Sequence, residues 1–155
     1  MFLEIERKFL IKKVPDNISN CKQSRILQGY LSFEPEVRIR KKVCNYEKYF
    51  LTVKSSGGIS REEYEIEISK ETFEDLKKAI KGKFLSKRRY EIPIENNKIA
   101  EFDVYDDFSE KTVEVEFDSI EEAKSFIVPD WFGREISGDE KYKNKSLFKR
   151  INKSL

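Results

Sequence analysis

Charges of one sign recur at every second position in segment after segment of this 155-residue chain. Alternation in a β-strand places residues i and i+2 on the same face, about 7 Å apart. Two like charges at that separation repel by about 2 kcal/mol at an effective dielectric constant of 20. A solvated face would gain more from mixed signs, so the grouping needs a structural reason. The like-charge sets are Glu4/Glu6, Arg38/Arg40/Lys42, Glu63/Glu65/Glu67, Lys87/Arg89, Glu101/Asp103 and Glu114/Glu116.

The same alternation, interrupted by turn residues, predicts many short strands over one domain that spans residues 1–155. Short connections between the strands favour antiparallel pairing. Thr72, and either Ser119 or Asp118, are the predicted N-terminal caps of the first two helices. Helices are predicted at roughly 71–81, 119–127 and 144–152. Strands are predicted at roughly 2–12, 25–33, 36–44, 47–55, 61–69, 84–94, 98–106 and 111–118.

Two arrangements of such strands are compatible with the pattern. One is an open antiparallel sheet with a solvated face. The other is a closed barrel whose charged face points inward, and only this one explains the grouping by sign. A barrel of about eight strands has an interior that holds side chains or one small ligand. The sequence therefore predicts an α+β fold, an eight-stranded antiparallel β-barrel with a few flanking helices.

An interior lined by both carboxylates and cations requires a charged ligand, because isolated buried charges are costly. Carboxylate oxygens without histidine or cysteine select Mg²⁺ or Mn²⁺. Arginines two residues apart suit phosphate oxygens, which accept forked hydrogen bonds. The predicted ligand is therefore a polyphosphate bound together with Mg²⁺ or Mn²⁺.

The composition excludes several classes of protein. The chain has no histidine, which excludes Ser-His-Asp and Cys-His catalysis and histidine-rich zinc sites. A net charge of +2 without a basic stripe argues against a nucleic-acid partner. Cys21 and Cys44 are too few for a disulfide scaffold, and we expect reduced thiols in a cytoplasmic protein. No signal-peptide pattern and no apolar run of ~18 residues occurs, so no membrane partner is expected.

Eight short motifs follow one another along the chain: Glu4-Ile-Glu6-Arg-Lys8, Gln28-Gly-Tyr30-Leu, Arg38-Ile-Arg40, Leu51-Thr-Val-Lys54, Arg61-Glu-Glu63-Tyr-Glu65, Lys87-Arg-Arg89-Tyr, Glu101-Phe-Asp103-Val and Glu114-Val-Glu116-Phe. In this order, and over nearly the whole chain, they resemble the CYTH superfamily, the triphosphate tunnel metalloenzymes. The tail from Pro129 to Leu147 is similar to that of the short bacterial inorganic triphosphatases. The fold that the resemblance implies is an eight-stranded antiparallel β-tunnel, in agreement with the charge pattern.

The resemblance also implies roles for individual residues. The implied metal ligands are Glu4, Glu6, Glu114 and Glu116. Lys8, with Glu4 and Glu6, is implied at the reacting end of the substrate. The residues implied to bind the triphosphate are Lys8, Arg38, Arg40, Lys54, Lys87 and Arg89. Glu63, Glu65 and Asp103 fall at other acidic tunnel positions. Lys42 and Glu67 extend the charge pattern without matching family motifs, and we interpret them as ordinary strand-end charges.

Two aromatic residues have weaker predictions. Alternation places Tyr30 on the same side as Gln28, where it would touch substrate or water in the tunnel. The alternative is that Tyr30 belongs to the apolar core, which is more common for an aromatic residue of a strand. We expect Trp131 to pack the C-terminal segment on the barrel.

Members of this family hydrolyse inorganic triphosphate, thiamine triphosphate or nucleoside triphosphates, or cyclise ATP as class IV-type adenylyl cyclases do. Since the first motif begins at residue 4, we expect no extension of the kind that cyclase-like members place before it. The resemblance to short triphosphatases favours metal-dependent hydrolysis of inorganic triphosphate to pyrophosphate and phosphate. A non-catalytic polyphosphate-binding module is the alternative from another class. The expected partner is inorganic triphosphate or another small molecule that carries a triphosphate, and a homodimer is left open.

Overall fold

The computed structural model of the protein describes residues 2–57 and 59–153. Nine strands run along the chain: β1 Phe2–Ile11, β2 Lys22–Phe33, β3 Glu36–Val43, β4 Glu47–Lys54, β5 Ser60–Ile68, β6 Leu85–Ile94, β7 Lys98–Tyr105, β8 Lys111–Glu116 and β9 Phe132–Glu135. The three α-helices are α1 Lys70–Lys77, α2 Ile120–Ser125 and α3 Asn144–Ile151. Short 3₁₀ turns cover Ile18–Asn20 and Glu140–Tyr142.

Strands β1 to β8 form a closed antiparallel barrel. Their order is β5-β4-β3-β2-β6-β7-β8-β1, and the first residues of β1 pair with β5 to close the ring. The predicted barrel and all eight predicted strands are confirmed, with boundaries that differ by a few residues. The ninth strand, β9, pairs with the second half of β1 and was not predicted. Its four residues are too few to show an alternation of their own.

Two apolar layers on the outside of the barrel make up most of its core. Helix α2 and strand β9 cover Phe9, Phe102 and Val113, and Trp131 packs against this layer as expected. Helix α1 covers β3 and β4 through the contact of Phe73 with Tyr49. Because these faces carry the apolar half of each strand, the charged half is left to point inward.

Helix α3 fills one end of the barrel with apolar side chains. Leu147 and Phe148 pack against Tyr30, Leu85 and Tyr105, which share the inward parity of the charged residues on the same strands. The charged interior is therefore bounded at this end by an apolar layer.

Local sequence features explain the ends of several elements. Asn96 and Asn97 have φ of 61° and 57°, as required in the tight turn between β6 and β7. The predicted cap Ser119 is correct, because its hydroxyl accepts from the backbone N–H of α2. The predicted cap Thr72 is wrong: Ser69 caps α1 and accepts from the Thr72 N–H. The side chain of an N-cap residue usually accepts a hydrogen bond from a backbone N–H two or three residues further along the chain, as Ser69 does here.

Among the described residues, no helix combines the length and apolar character needed to cross a membrane.

Candidate active site

The inward side chains of the barrel line a cavity of about 300 Å³. Of the residues predicted for the site, Asp103 alone is absent from its wall, and it is fully buried. Lys42, which we interpreted as a strand-end charge, is the next-to-last residue of β3 and also lies on the wall, whereas Glu67 is exposed and pairs with Lys48. The predicted residues on the wall are Glu4, Glu6, Lys8, Tyr30, Arg38, Arg40, Lys54, Glu63, Glu65, Lys87, Arg89, Glu114 and Glu116.

Three carboxylates form an acidic cluster in this cavity. Oxygens of Glu4, Glu6 and Glu116 lie within 4.8 Å of one another. They come together because Glu4 and Glu6 share a face of β1, and Glu116 on β8 is the cross-strand partner of Glu6. Burial, with Glu114 and Glu4 nearby, raises the pKa of Glu6 well above its ordinary value. Burial and the surrounding carboxylates raise the pKa of Glu116 to about 7. Hard oxygen donors that repel one another in this way fit a divalent cation such as Mg²⁺ or Mn²⁺.

Glu4 differs from its two neighbours because cationic side chains contact it. Lys54 Nζ donates to its two carboxylate oxygens at 2.9 and 3.0 Å, and Arg61 Nε lies 3.4 Å from Oε1. Burial acts to raise the pKa of Glu4, but Lys54, a hydrogen bond with Glu63 and Arg38 together outweigh burial, and the pKa lies below its ordinary value. A divalent cation bound to Glu4 would compete with Lys54 for these oxygens and would free the ammonium group for an anionic ligand.

Glu114, the fourth predicted metal ligand, lies outside the three-carboxylate cluster. It stands between Lys8 Nζ at 3.9 Å and Arg89 Nη2 at 4.0 Å. Burial acts to raise its pKa, but Lys8, a hydrogen bond with Glu6 and Arg89 together hold the pKa well below its ordinary value. Glu114 therefore joins the acidic cluster to the basic side of the cavity.

Lys8 is held in place by the C-terminal part of the chain. Its Nζ donates to the backbone carbonyl of Tyr142 at 2.8 Å, and its backbone N–H donates to Ser137 Oγ at 2.9 Å. The loop that follows β9 therefore positions Lys8, the cation predicted for the reacting end of the substrate.

The arginines of β3 present donors that the protein itself does not satisfy. Arg38 and Arg40 are neighbours on the inward face, and Arg40 Nη2 donates to Glu65 at 3.1 Å. The Nε atoms of both arginines are buried and have no hydrogen-bond partner within the described parts of the chain. Burial and the adjacent Arg38 lower the pKa of Arg40. Buried donors without partners point to a ligand that accepts hydrogen bonds, such as a phosphate.

A second pair of cations lies on β6, which is separated from β3 by β2 alone. Burial lowers the pKa of Lys87 to about 8. Burial also acts to lower the pKa of Arg89, but Asp103 and Glu101 reverse the shift and hold the pKa well above its ordinary value. Arg89 Nη1 donates to Glu101 at 2.9 Å. The basic side of the cavity therefore carries charge from β3 and β6, the two strands that flank β2.

The remaining predicted acids occupy separate places on the wall. Glu63 lies 3.3 Å from Lys54 Nζ, and burial followed by its hydrogen bond with Glu4 raises its pKa. Glu65 accepts from Thr52 Oγ1 at 2.8 Å. Neither belongs to the acidic cluster, although Glu63 contacts Glu4 of that cluster.

Tyr30 takes part in both arrangements that the sequence left open. Its ring packs against Phe33 and Phe148, with centroids 5.8 and 5.3 Å away. Its hydroxyl lies on the cavity wall and accepts from Gln28 Nε2 at 3.0 Å. The ring belongs to the apolar end of the barrel, and only the hydroxyl faces the charged part.

Sequence reasoning missed several residues of the cavity wall. Arg61 is the register partner of Glu4, and the parity of β5 could have placed it inside. Glu36 has the same parity as Arg38 and could have been found in the same way. The segment 136–144 has no periodic pattern that would have shown its position. Its residues on the wall are Ile136, Ser137, Gly138, Asp139, Tyr142, Lys143 and Asn144.

A closed β-barrel whose interior places clustered carboxylates beside arginines and lysines defines the tunnel class of phosphate-processing enzymes. Comparison with known proteins agrees. The chain is 42% identical over 149 residues to an inorganic triphosphatase of Nitrosomonas europaea, with 93% of this chain and 95% of that protein covered. It is 37% identical over 154 residues to an inorganic triphosphatase of Acetivibrio thermocellus, with 98% and 97% covered. The chain therefore belongs to the family of these inorganic triphosphatases.

Solved structures support the same assignment. A crystal structure of an inorganic triphosphatase matches with a TM-score of 0.66 and 38% identity, and 95% of each chain is covered. A putative adenylyl cyclase from Hippeastrum, described as having a dominant triphosphatase activity, matches with a TM-score of 0.54 over 80% of this chain and 83% of that one. At 17% identity, this second likeness concerns the fold alone. A scan against models of protein families finds no match.

Proposed function

We propose that this protein hydrolyses inorganic triphosphate to pyrophosphate and phosphate inside the barrel, with Mg²⁺ or Mn²⁺ bound to carboxylates. The observation that carries the proposal is the cavity itself, where the acidic cluster of Glu4, Glu6 and Glu116 faces arginines with unpaired buried donors. The activity named for the two curated relatives supports the choice of substrate.

In this proposal Glu4, Glu6 and Glu116 hold the divalent cation, and Glu114 adjoins them. A cation there supplies positive charge next to the phosphate oxygens and a water of lowered pKa. Because Glu6 and Glu116 have raised pKa values, both carboxyl groups would have to lose a proton before they could hold the cation. Deprotonation of Glu6 and Glu116 would therefore be the first requirement for binding of a cation at the acidic cluster.

The cationic side chains bind and orient the triphosphate. Arg38 and Arg40 offer their free Nε–H groups from β3, while Lys87 and Arg89 approach from β6. Lys8 is fixed by Tyr142 beside Glu114, where it can neutralise charge that develops as the terminal phosphoryl group is transferred. Holding the three phosphates in one orientation converts hydrolysis into an attack by a positioned water.

A parallel assay of inorganic triphosphate, thiamine triphosphate and ATP tests the proposal, with Mg²⁺ or Mn²⁺ present and the products separated by chromatography. We expect inorganic triphosphate to give the highest kcat/KM, and EDTA to abolish phosphate release until metal is restored. Full activity in EDTA would rule out the metal-dependent mechanism. Cyclic AMP and pyrophosphate as the dominant products from ATP, with little cleavage of inorganic triphosphate, would replace it with a cyclase.

A further inference from the structure

Asp103 is fully buried beside the cavity and accepts three hydrogen bonds from two cations. Its Oδ2 accepts from Lys87 Nζ at 2.8 Å and from Arg89 Nη2 at 2.9 Å. Its Oδ1 accepts from Arg89 Nε at 2.8 Å. One carboxylate therefore fixes two cations of the cavity wall at the same time.

The pattern of hydrogen bonds leaves donors free on the far side of each cation. A guanidinium group has five N–H donors and an ammonium group has three. Asp103 takes the Nε and Nη2 edge of Arg89, and Glu101 takes one N–H of Nη1. One N–H on each terminal nitrogen and two on Lys87 have no partner among the described residues. Both Lys87 and Arg89 line the cavity.

Asp103 keeps its charge in this environment. Burial acts to raise its pKa, but Arg89 and Lys87 outweigh burial and the pKa lies below its ordinary value. A carboxylate with 0% exposure and no cations would be strongly disfavoured. The acidic cluster of Glu4, Glu6 and Glu116 does not include it.

We propose that Asp103 is a positioning residue that holds Lys87 and Arg89 at a fixed spacing, so that both donate to the same part of the bound triphosphate. The inference rests on the proposed function, because it concerns how Asp103 arranges Lys87 and Arg89, two of the residues proposed to bind the substrate. It also separates Asp103 from the metal-binding carboxylates of the barrel.

The Asp103→Asn variant removes the charge and keeps the shape of the side chain. We expect kcat/KM for inorganic triphosphate to fall by about 10- to 100-fold, the usual size of outer-shell effects, mainly through a higher KM. Mn²⁺ affinity, measured by electron paramagnetic resonance, should stay within about twofold of wild type, because the acidic cluster is untouched. In the Arg89→Ala variant, Asp103→Asn should lower kcat/KM by a much smaller factor, because one of the two cations that Asp103 holds is already absent.

Asp106→Asn is the matched control. Asp106 lies next to the end of β7 and accepts from Arg25 at 2.7 Å, but it is exposed outside the cavity. The Asp106→Asn variant should leave kcat/KM and KM unchanged. A folded Asp103→Asn enzyme with wild-type KM would overturn the inference. So would a loss of Mn²⁺ affinity parallel to the loss of activity, which would make Asp103 a metal ligand.

A measurement on the wild-type protein tests the inference even where Asp103→Asn fails to fold or the proposed substrate is wrong. The Arg89 Nε–H resonance, assigned by its absence in Arg89→Lys, should exchange with solvent at least about tenfold more slowly than that of exposed Arg134. Equal exchange rates would show that Asp103 does not hold the guanidinium group. Failure of the wild-type enzyme to release phosphate would instead overturn the proposed function alone.

Discussion

Two of the cations predicted for the site, Lys8 and Arg40, have different surroundings. Among the cations, Lys8 alone bonds to the backbone of the C-terminal segment, through the carbonyl of Tyr142. Arg40 instead has a buried Nε without a partner and one bond to Glu65. A fixed ammonium group beside Glu114 suits charge that develops during reaction, whereas an unsatisfied guanidinium group suits binding of the ground state.

Substitutions of these two residues should therefore have different kinetic effects. We expect Arg40→Ala to raise the KM for inorganic triphosphate through a loss of roughly 1–3 kcal/mol, the range for a charge-assisted contact. Lys8→Ala should lower kcat by more than it raises KM, because the lost interaction strengthens in the transition state. Steady-state kinetics of both variants measures the split.

The matched control for this pair is Arg150→Ala, which removes an exposed guanidinium group 3.7 Å from Glu110 on the outside of the molecule. Surface ion pairs of this kind contribute about 0–1 kcal/mol and should not affect kinetics. Lys8→Ala with an unchanged kcat would assign Lys8 to binding alone.

At the scale of elements, helix α3 and the segment before it cover one end of the closed barrel. Strand β1 pairs with β5 only through its first residues, and β9 takes over further along. Residues 136–144 follow β9 along the cavity wall before α3 enters the apolar end. An eight-residue helix is not stable alone, so α3 depends on its buried side chains.

Phe148→Ala should therefore loosen this end of the barrel. Phe148 is 5% exposed and packs against Tyr30 and Phe33, and truncation of a buried Phe typically costs about 3–5 kcal/mol. Because the segment before α3 holds Lys8, kcat should fall together with the free energy of unfolding in urea. The control is Lys153→Ala just beyond the helix, where the side chain is exposed. A loss below ~1 kcal/mol would mean that α3 contributes little to covering this end of the barrel.

At the scale of the whole molecule, the barrel was predictable because its strands are long enough to show an alternation and because like charges on one face have no other explanation. The inward residues of β1, β3 and β6 followed directly from this alternation. Strand β9, the cap Ser69 and the wall segment 136–144 were not predictable, since short or irregular stretches have no period. The contact of Lys54 with Glu4 joins strands 50 residues apart, and parity alone does not fix such partners.

The same grouping of like charges destabilises the metal-free protein, and this effect should appear in the pH dependence of its stability. The pKa of Glu116 is raised to about 7, so its neutral form is favoured in the folded state. Its contribution to stability is then complete below the ordinary pKa of a glutamate, about 4.3, and is lost as the pH rises towards 7. The raised pKa of Glu6 acts in the same direction.

Apart from Glu63, whose pKa is raised as well, the other shifted groups change charge outside this range. Asp103, Glu4 and Glu114 have lowered pKa values and affect stability only at pH values below the ordinary range of carboxylates. Lys87, with a pKa of about 8, affects stability between about 8 and its ordinary value. The window from pH 5 to 7.5 therefore reports chiefly on Glu6, Glu116 and Glu63.

Thermal unfolding in EDTA should accordingly give a lower Tm at pH 7.5 than at pH 5, and Glu116→Gln should reduce this difference. Because Glu116 is partly exposed and screened, we expect a change of only a few °C, where ~1 kcal/mol corresponds to about 2–4 °C at this chain length. Mg²⁺ at pH 7.5 should raise the Tm of the wild type more than that of Glu116→Gln, since a cation that binds the folded state stabilises it. Glu62→Gln, an exposed change on the outside of the same barrel, is the control and should keep the wild-type response. A Glu116→Gln protein with the wild-type difference in Tm, and the wild-type response to Mg²⁺, would remove Glu116 from the metal site.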